Sequence, residues 1–287
     1  MPSLKDIRKR ITSVKSTQQI TKAMKMVAAA KLRRAQEAVI QARPYADRLH
    51  EVIGSLSIRV DPGRHPLLVK REVKKLEILV ITSDRGLCGG YNQNIIREVT
   101  HLLEEKMDDA ETIQLNIIGR KGLDYFKRRN YSIRKEYRNI LGDIDYQVAS
   151  EVGKEIVSAY EDGEFDQLVM VYNHFRSAIS QVVTVQRLLP IEPITVPEGT
   201  VITDYIYEPT EEAILNQLLP RYIEVQIFRA MLESLASEYG ARMTAMESAT
   251  SNASEMIDKL TLDMNRARQA AITKELMEIV GGAEALK

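Results

Sequence analysis

The sequence predicts a mixed α/β chain: its N- and C-terminal arms form a long antiparallel two-helix coiled coil, and a compact α/β domain lies between them. Alternating 3,4 spacing from Tyr222 to Ala271 gives fifteen positions, and all but Arg229 and Thr250 are apolar. The same spacing from Ile7 to Val60 is apolar except at Gln18, Thr21 and Lys25. An apolar period of 3.5 residues wraps two helices left-handedly around a shared seam. Both arms leave one central segment, so the simplest closure folds them back as an antiparallel pair. The central segment carries short β-branched runs that alternate with helical stretches.

Taken in order, residues 1–60 form the first arm. No Gly or Pro occurs between Ser3 and Arg43, and about 41 helical residues rise roughly 60 Å. Ser3 followed by Asp6 suits an N-cap with an acid in the first turn. Pro44 interrupts the helix, but Ala46, Leu49, Ile53 and Leu56 keep the register of Val39 and Ala42, which predicts a kink rather than an end. Asp61-Pro62-Gly63 closes the arm. In residues 68–208 the strands expected are Leu76–Ile81, Ile113–Ile118, Leu168–Tyr172 and Val182–Leu189, the last as an antiparallel edge. Helices are expected near 92–107, 120–130 and 145–162. Such alternation predicts a mostly parallel, helix-covered sheet, a Rossmann-like α/β domain. Residues 210–287 form the second arm. Pro220 is its last proline and Gly240 its only glycine before Gly281-Gly282. If both arms leave the body at one level, the longer C-terminal arm should protrude alone at its end.

Charge and composition narrow the function classes. Lys+Arg and Asp+Glu both total 40, so net charge favours neither a nucleic-acid protein nor an acidic scaffold. The balance conceals an asymmetry: residues 1–36 hold ten Lys or Arg against Asp6 alone, a net +9. Residues 221–287 hold eight basic and ten acidic side chains and are nearly neutral. Cys88 is the only cysteine, which excludes an internal disulfide and fits a reducing compartment. No run approaches the 18 apolar residues of a spanning helix. The start MPSLKDIRKR enters the periodic pattern at once, so no signal or transit peptide is expected.

One loop could carry chemistry. Ser83-Asp-Arg-Gly-Leu-Cys-Gly-Gly-Tyr-Asn92 lies between the first strand and its helix, where α/β proteins bind phosphates. It matches neither G-x-x-x-x-G-K-[ST] nor G-x-G-x-x-G. Gly86, Gly89 and Gly90 therefore either cradle a ligand or supply positive φ in a turn. Cys88 has no histidine near it in sequence and reads as a small packed thiol rather than a nucleophile. His50, His65, His101 and His174 are scattered, and His101 with Glu104 is a lone pair, not a metal site. No catalytic constellation, cofactor site or metal site is expected. A long two-stranded rod on a small body suits a lever, spacer or shaft better than an enzyme.

The basic arm admits three readings besides a solvated face: a DNA-binding region beside a coiled coil, a membrane-surface helix, or a cationic helix facing an acidic protein. Ile7, Ile11 and Val14 run the seam through the basic stretch, which argues against DNA. Gln18, Thr21 and Lys25 leave the seam together while Ile20, Met24 and Val27 form a neighbouring stripe. The apolar face is therefore expected to rotate there, toward something other than the partner helix.

Several long motifs carry a family resemblance. Ile20-Thr-Lys-Ala-Met-Lys-Met-Val-Ala-Ala-Ala-Lys31, the loop Ser83–Gly90 and Ala241-Arg-Met-Thr-Ala-Met-Glu-Ser-Ala-Thr250 resemble the gamma subunits of F-type ATP synthases. The segment Ala267–Ala285 resembles that family's C-terminal signature, here Ile272, Thr273, Glu275, Glu278, Gly282 and Ala283. The resemblance spans the whole chain, without the cysteine-bearing insert of the chloroplast branch.

The resemblance implies a non-catalytic rotating shaft without cofactors, in a ring of three alpha and three beta subunits. It implies an epsilon subunit and a membrane c-subunit ring at the foot, no nucleic acid, no direct membrane insertion, and a place at the cytoplasmic face of a bacterial plasma membrane. Residue by residue, it implies contact with the alpha/beta head for Lys22, Met24, Lys25, Arg242, Arg268, Gln269, Thr273, Glu275 and Glu278. It implies contact with the ring and epsilon for Tyr205, Tyr207 and Glu208. The alternative from the residues alone is a small-molecule α/β enzyme with oligomerising coiled-coil arms, supported by the loop at 86–90. A DNA-binding dimer is a third.

Overall fold

The structure, a computed structural model, describes residues 3–57, 65–107, 109–142, 144–192 and 210–284, with side chains to residue 281. The first arm is a single helix, α1 (Leu4–Ser57), which continues through Pro44. Its start is a capping box. The Asp6 amide donates to Ser3 Oγ at 3.2 Å, and the Ser3 amide and hydroxyl both donate to Asp6 Oδ2, at 3.3 and 2.7 Å. Two donors that a helix start leaves unpaired are thus satisfied. The Asp61-Pro62-Gly63 stop lies outside the described residues.

The middle is a five-stranded sheet. Its elements are β1 (Lys75–Ile81), α2 (Tyr91–Lys106), β2 (Thr112–Ile118), α3 (Arg120–Lys127), β3 (Ile133–Tyr137), α4 (Tyr146–Glu161), β4 (Gln167–Phe175) and β5 (Gln181–Leu189). The strand order is β3-β2-β1-β4-β5. β1 lies parallel to β2 and β4, β2 lies parallel to β3, and β5 is the antiparallel edge. β3 went unread in the sequence. Its residues Ile-Arg-Lys-Glu-Tyr hold only two apolar side chains, and none of the five is fully buried. An edge strand needs no continuous apolar run.

Successive side chains of β1 point to opposite faces and enter two cores. Leu76, Ile78 and Val80 pack with Ile95, Val99, Leu123 and Phe126 beneath α2 and α3. Leu79 and Ile81 pack with Ile156 and Tyr160 of α4 and with the last helix, α5 (Glu211–Glu284). Gly119 makes the β2–α3 turn at φ 95°, where a Cβ would fall 2.0 Å from the Thr82 carbonyl oxygen, so no other residue fits.

The chain divides into two compact units, Met1–Ala28 with Met243–Lys287, and Ala29–Arg242. Within the second unit α5 is more than one strand of a seam. Leu215, Leu219, Ile223, Ile227 and Met231 are essentially solvent-free and belong to the core under the sheet. Leu49, Ile53 and Leu56 of α1 join the same core. Within the first unit cover centres on the heptad stripe. Ile7, Ile11, Met246 and Ala253 are buried, while Ile257, Leu260, Met264, Ala267 and Ala271 are half-buried. From Ile272 to Gly281 every residue is exposed.

The seam does not rotate mid-arm. Gln18 Nε2 donates to Ser254 Oγ at 2.6 Å, the hydroxyls of Thr21 and Thr250 meet at 2.8 Å, and Lys25 Nζ reaches Glu247 Oε1 at 2.6 Å. The three positions that break the apolar pattern of α1 keep their register and face polar residues of α5. Ile20 and Val27 of the neighbouring stripe are 59% and 57% exposed. The expected rotation is therefore corrected: polar groups can occupy an interface when each finds a partner across it.

Candidate functional site

The Gly-rich loop is the position where an α/β enzyme would hold its ligand, and its polar groups are turned inward. The Ser83 amide donates to Asn92 Oδ1 at 2.9 Å, Asn92 Nδ2 donates to Ser83 Oγ at 2.8 Å, and Ser83 Oγ donates to the Arg85 carbonyl at 2.6 Å. Asp84 accepts from the Arg120 amide at 3.0 Å, at the start of α3. Of the three glycines only Gly89 has positive φ, 56°, and Leu87 shares that conformation at 62°. Cys88 is buried, and desolvation foremost, with Glu238 adding to it, pushes its thiol pKa up. A thiol held protonated is a poor nucleophile.

Ligands of open α/β sheets sit beyond the carboxyl ends of the strands, where the strand order reverses. Here that point is between β1 and β4, and α5 lies across it. Arg242 donates to the Gly86 carbonyl at 3.1 Å and Ser237 Oγ donates to the Asn173 carbonyl at 3.1 Å. A Cβ on Gly240 would meet the Ala178 backbone at 3.1 Å, so the helix approaches the β4–β5 turn as closely as glycine allows. Arg242 also pairs with Glu238 at 2.7 Å, with side chains only 11% and 8% exposed. Burial raises the Glu238 carboxyl, and the Arg242 guanidinium pulls it back. Among the described residues no cluster of three His, Cys, Asp or Glu side chains could hold a metal.

The residues singled out from the sequence fall into three places. Lys25 lies in the polar part of the α1–α5 seam, beside half-buried Met24 and exposed Lys22. Arg242 is the buried tie between α5 and the Gly-rich loop. Arg268, Gln269, Thr273, Glu275 and Glu278 lie along the exposed end of α5, where Thr273 Oγ1 donates to the Gln269 carbonyl at 3.0 Å and Lys274 lies 3.6 Å from Glu278. Tyr205, Tyr207 and Glu208 lie outside the described residues. The polar pairing of Gln18, Glu247 and Ser254 with the opposite arm was missed. Its only sequence signal was Thr250, an isolated gap in one arm's pattern opposite the cluster of gaps in the other.

The sequence model of the ATP synthase family matches residues 3–286. The ATP synthase gamma chain of Trichlorobacter lovleyi is 54% identical over 290 residues, covering all of both chains. The gamma chain of Anaeromyxobacter sp. (strain Fw109-5) is 55% identical over 291 residues, again end to end. The chain belongs to the ATP synthase gamma family. Solved structures agree on the fold. A chain from the Tetrahymena thermophila mitochondrial ATP synthase central stalk and c-ring is 28% identical with a TM-score of 0.61, covering 80% of this chain and 99% of its own. A Euglena gracilis mitochondrial ATP synthase chain is 22% identical with a TM-score of 0.71, covering 99% and 94%. In this chain α5 fills the crevice at the strand ends, so the α/β domain grips a helix where other open α/β sheets hold a ligand.

Proposed function

We propose that this chain is the central rotating shaft of an F-type ATP synthase and couples ion flow through a membrane ring to ATP synthesis or hydrolysis at the beta subunits. It transmits torque, and the nucleotide chemistry belongs to beta. The observation that carries the reading is α5 itself, one helix from Glu211 to Glu284 that is core at its start and bare at its end. A helix rooted in a packed core resists rotation at its base, so a turn imposed there is passed along it. A shaft without three-fold symmetry touches three beta subunits differently. Its angle then acts as the effector, and differential contacts with open and closed beta shift the nucleotide equilibria.

Three alpha and three beta subunits surround the coiled coil in this reading, and epsilon and the c-ring hold the foot. Lys22, Met24 and Lys25 are assigned to an acidic loop of beta, Arg268 and Gln269 to a second beta loop, with Thr273, Glu275 and Glu278 on the same tip. Arg242 supports these contacts from within. Tyr205, Tyr207 and Glu208 are assigned to the ring and epsilon. The protein is peripheral at the cytoplasmic face of a bacterial plasma membrane. Among the described residues no helix is long and apolar enough to cross one.

The exposed end of α5 presents Ile272, Leu276, Ile279 and Val280, apolar groups that turn within a sleeve with few directional bonds to break. The alternative, an α/β enzyme with oligomerising arms, needs the crevice that α5 fills. The test is the native mass of the complex that a tagged chain retrieves. Three alpha and three beta subunits per chain are expected; a homo-oligomer would overturn the assignment.

A further inference from the structure

A cleft of about 510 Å³ opens between α1, α4 and α5 inside the second unit, well within the size range of small-molecule sites, roughly 300–1,000 Å³. Its floor is Ala46 and Val225, both buried. Its walls are aromatic: Tyr146 and Phe228 pack edge to face at 5.6 Å, and Tyr45 stands 53% exposed at the side. Lys154 and Arg221 sit at the mouth, exposed and in none of the ion pairs found among the described residues, while Arg229 is spent on Glu233 at 3.0 Å.

The one acid lining the cleft is in none of the ion pairs found among the described residues. Glu224 is 5% exposed and accepts from the Tyr146 hydroxyl at 2.9 Å. It lies so close to α4 that a Cβ on Gly153 would meet it at 2.8 Å. Burial foremost, and then Glu224, pushes the Tyr146 hydroxyl up to about 12, so it keeps its proton and goes on donating. One oxygen of that carboxylate is held by the Tyr146 hydroxyl, and the two cations at the mouth outnumber the single acid, which leaves room for an anion.

We propose that this cleft binds a small amphipathic anion, an aromatic body seated between Tyr45, Tyr146 and Phe228 with a carboxylate at Lys154 and Arg221. The aromatic walls favour a flat ring by edge and face contacts. The guanidinium and ammonium supply charge-assisted hydrogen bonds to the carboxylate. An occupant touches α1, α4 and α5 at once and stiffens the packing between them. The site lies apart from the Gly-rich loop and from every contact assigned above.

Calorimetric titration of the full chain with 2-naphthoate, and with the neutral 2-naphthamide, tests the proposal. The expected result is saturable one-to-one binding with the carboxylate favoured by about tenfold, as one charged hydrogen bond supplies. The double variant Lys154→Gln/Arg221→Gln changes only exposed side chains, so it keeps its fold, and it should lose that preference. Ala42→Phe should block both probes. Equal affinity for the two probes, no saturation, or indifference to the double variant would overturn the proposal. The titration is repeated on the assembled complex, with the double-variant complex as its blank. Loss of the difference on assembly would also overturn the proposal, because a protein partner would then own the cleft.

Discussion

Helix α5 carries the same 3,4 repeat from Tyr222 to Ala271, but its two stretches sit in different surroundings. Between Tyr222 and Arg242 nearly every face is covered. Residues off the stripe, such as Ile223, Ile227, Met231 and Ser234, are as buried as those on it. Between Glu247 and Ala271 cover is confined to the stripe and a few flanking residues such as Ala249, Ser254 and Thr261, and mostly by half. The repeat that reads as one coiled coil is therefore two structures in series, a core helix and then one side of a two-helix seam. The first resists displacement through packing. The second keeps its register partly through polar pairs, which specify an alignment more sharply than they stabilise it.

Mutations can separate the two stretches. A large effect is expected from Ile223→Ala in the core stretch, which should cost about 2–5 kcal/mol. Leu276→Ala, on a side chain 58% exposed, should shift thermal unfolding by less than about 0.5 kcal/mol. Similar losses at both positions would erase the distinction.

Next comes Arg242→Ala, which strands the buried Glu238 carboxylate and should cost about 3–5 kcal/mol near neutral pH. The pH dependence has a definite sign. The Glu238 carboxyl already titrates above its ordinary 4.5 because burial penalises the charge, and Arg242 opposes that shift. Without the guanidinium it rises further. The folded chain then binds the proton more tightly than the unfolded one, so stability recovers as pH falls through the raised value toward 4.5. Chemical denaturation across that window should show the deficit of Arg242→Ala shrinking with acid; a constant or growing deficit would contradict the buried pair.

In the seam, Leu260→Ala should cost about 1–2 kcal/mol, below the range for a fully buried leucine because the site is half open. The polar layer should give the smallest change. Thr21→Val alone leaves Thr250 without its cross-seam partner and should cost about 1 kcal/mol, whereas Thr21→Val with Thr250→Val should be near neutral. A double-mutant cycle with no coupling would show that the 2.8 Å contact has no energetic weight.

β1 and β4 were legible as near-continuous apolar runs in the covered centre of the sheet, and β2 and β5 as β-branched runs despite polar interruptions such as Gln114, Asn116, Gln186 and Arg187. β3 was not, since Arg134, Lys135 and Glu136 hide an edge strand among charges. The two arms and their register were legible from a period that sterics enforces. That α5 would double as core under the sheet was not, because its extra buried residues include Glu224, Gln226, Glu233 and Glu238, which no apolar count registers. Of the candidate contacts, the cationic stretch and the tip could be named from the resemblance. The pairing of Gln18, Thr21 and Lys25 could not, since it depends on which residues of the other arm lie opposite. Met24→Lys, adding charge between Lys22 and Lys25, bears on the assigned beta contact: coupling should fall while hydrolysis by the assembled head persists, and high salt should relieve the defect.

The central claim is that the rooted stretch of α5 drives and the bare end only guides. Single-molecule rotation of assembled heads whose shaft is cut from Glu278 onward tests it most directly. The cut removes exposed Ile279 and Val280 and, among the described residues, leaves every buried side chain of α5 in place. Rotation at reduced torque, with looser assembly, is the predicted result. Stable, correctly assembled heads that never turn would assign the drive to the tip and contradict the account.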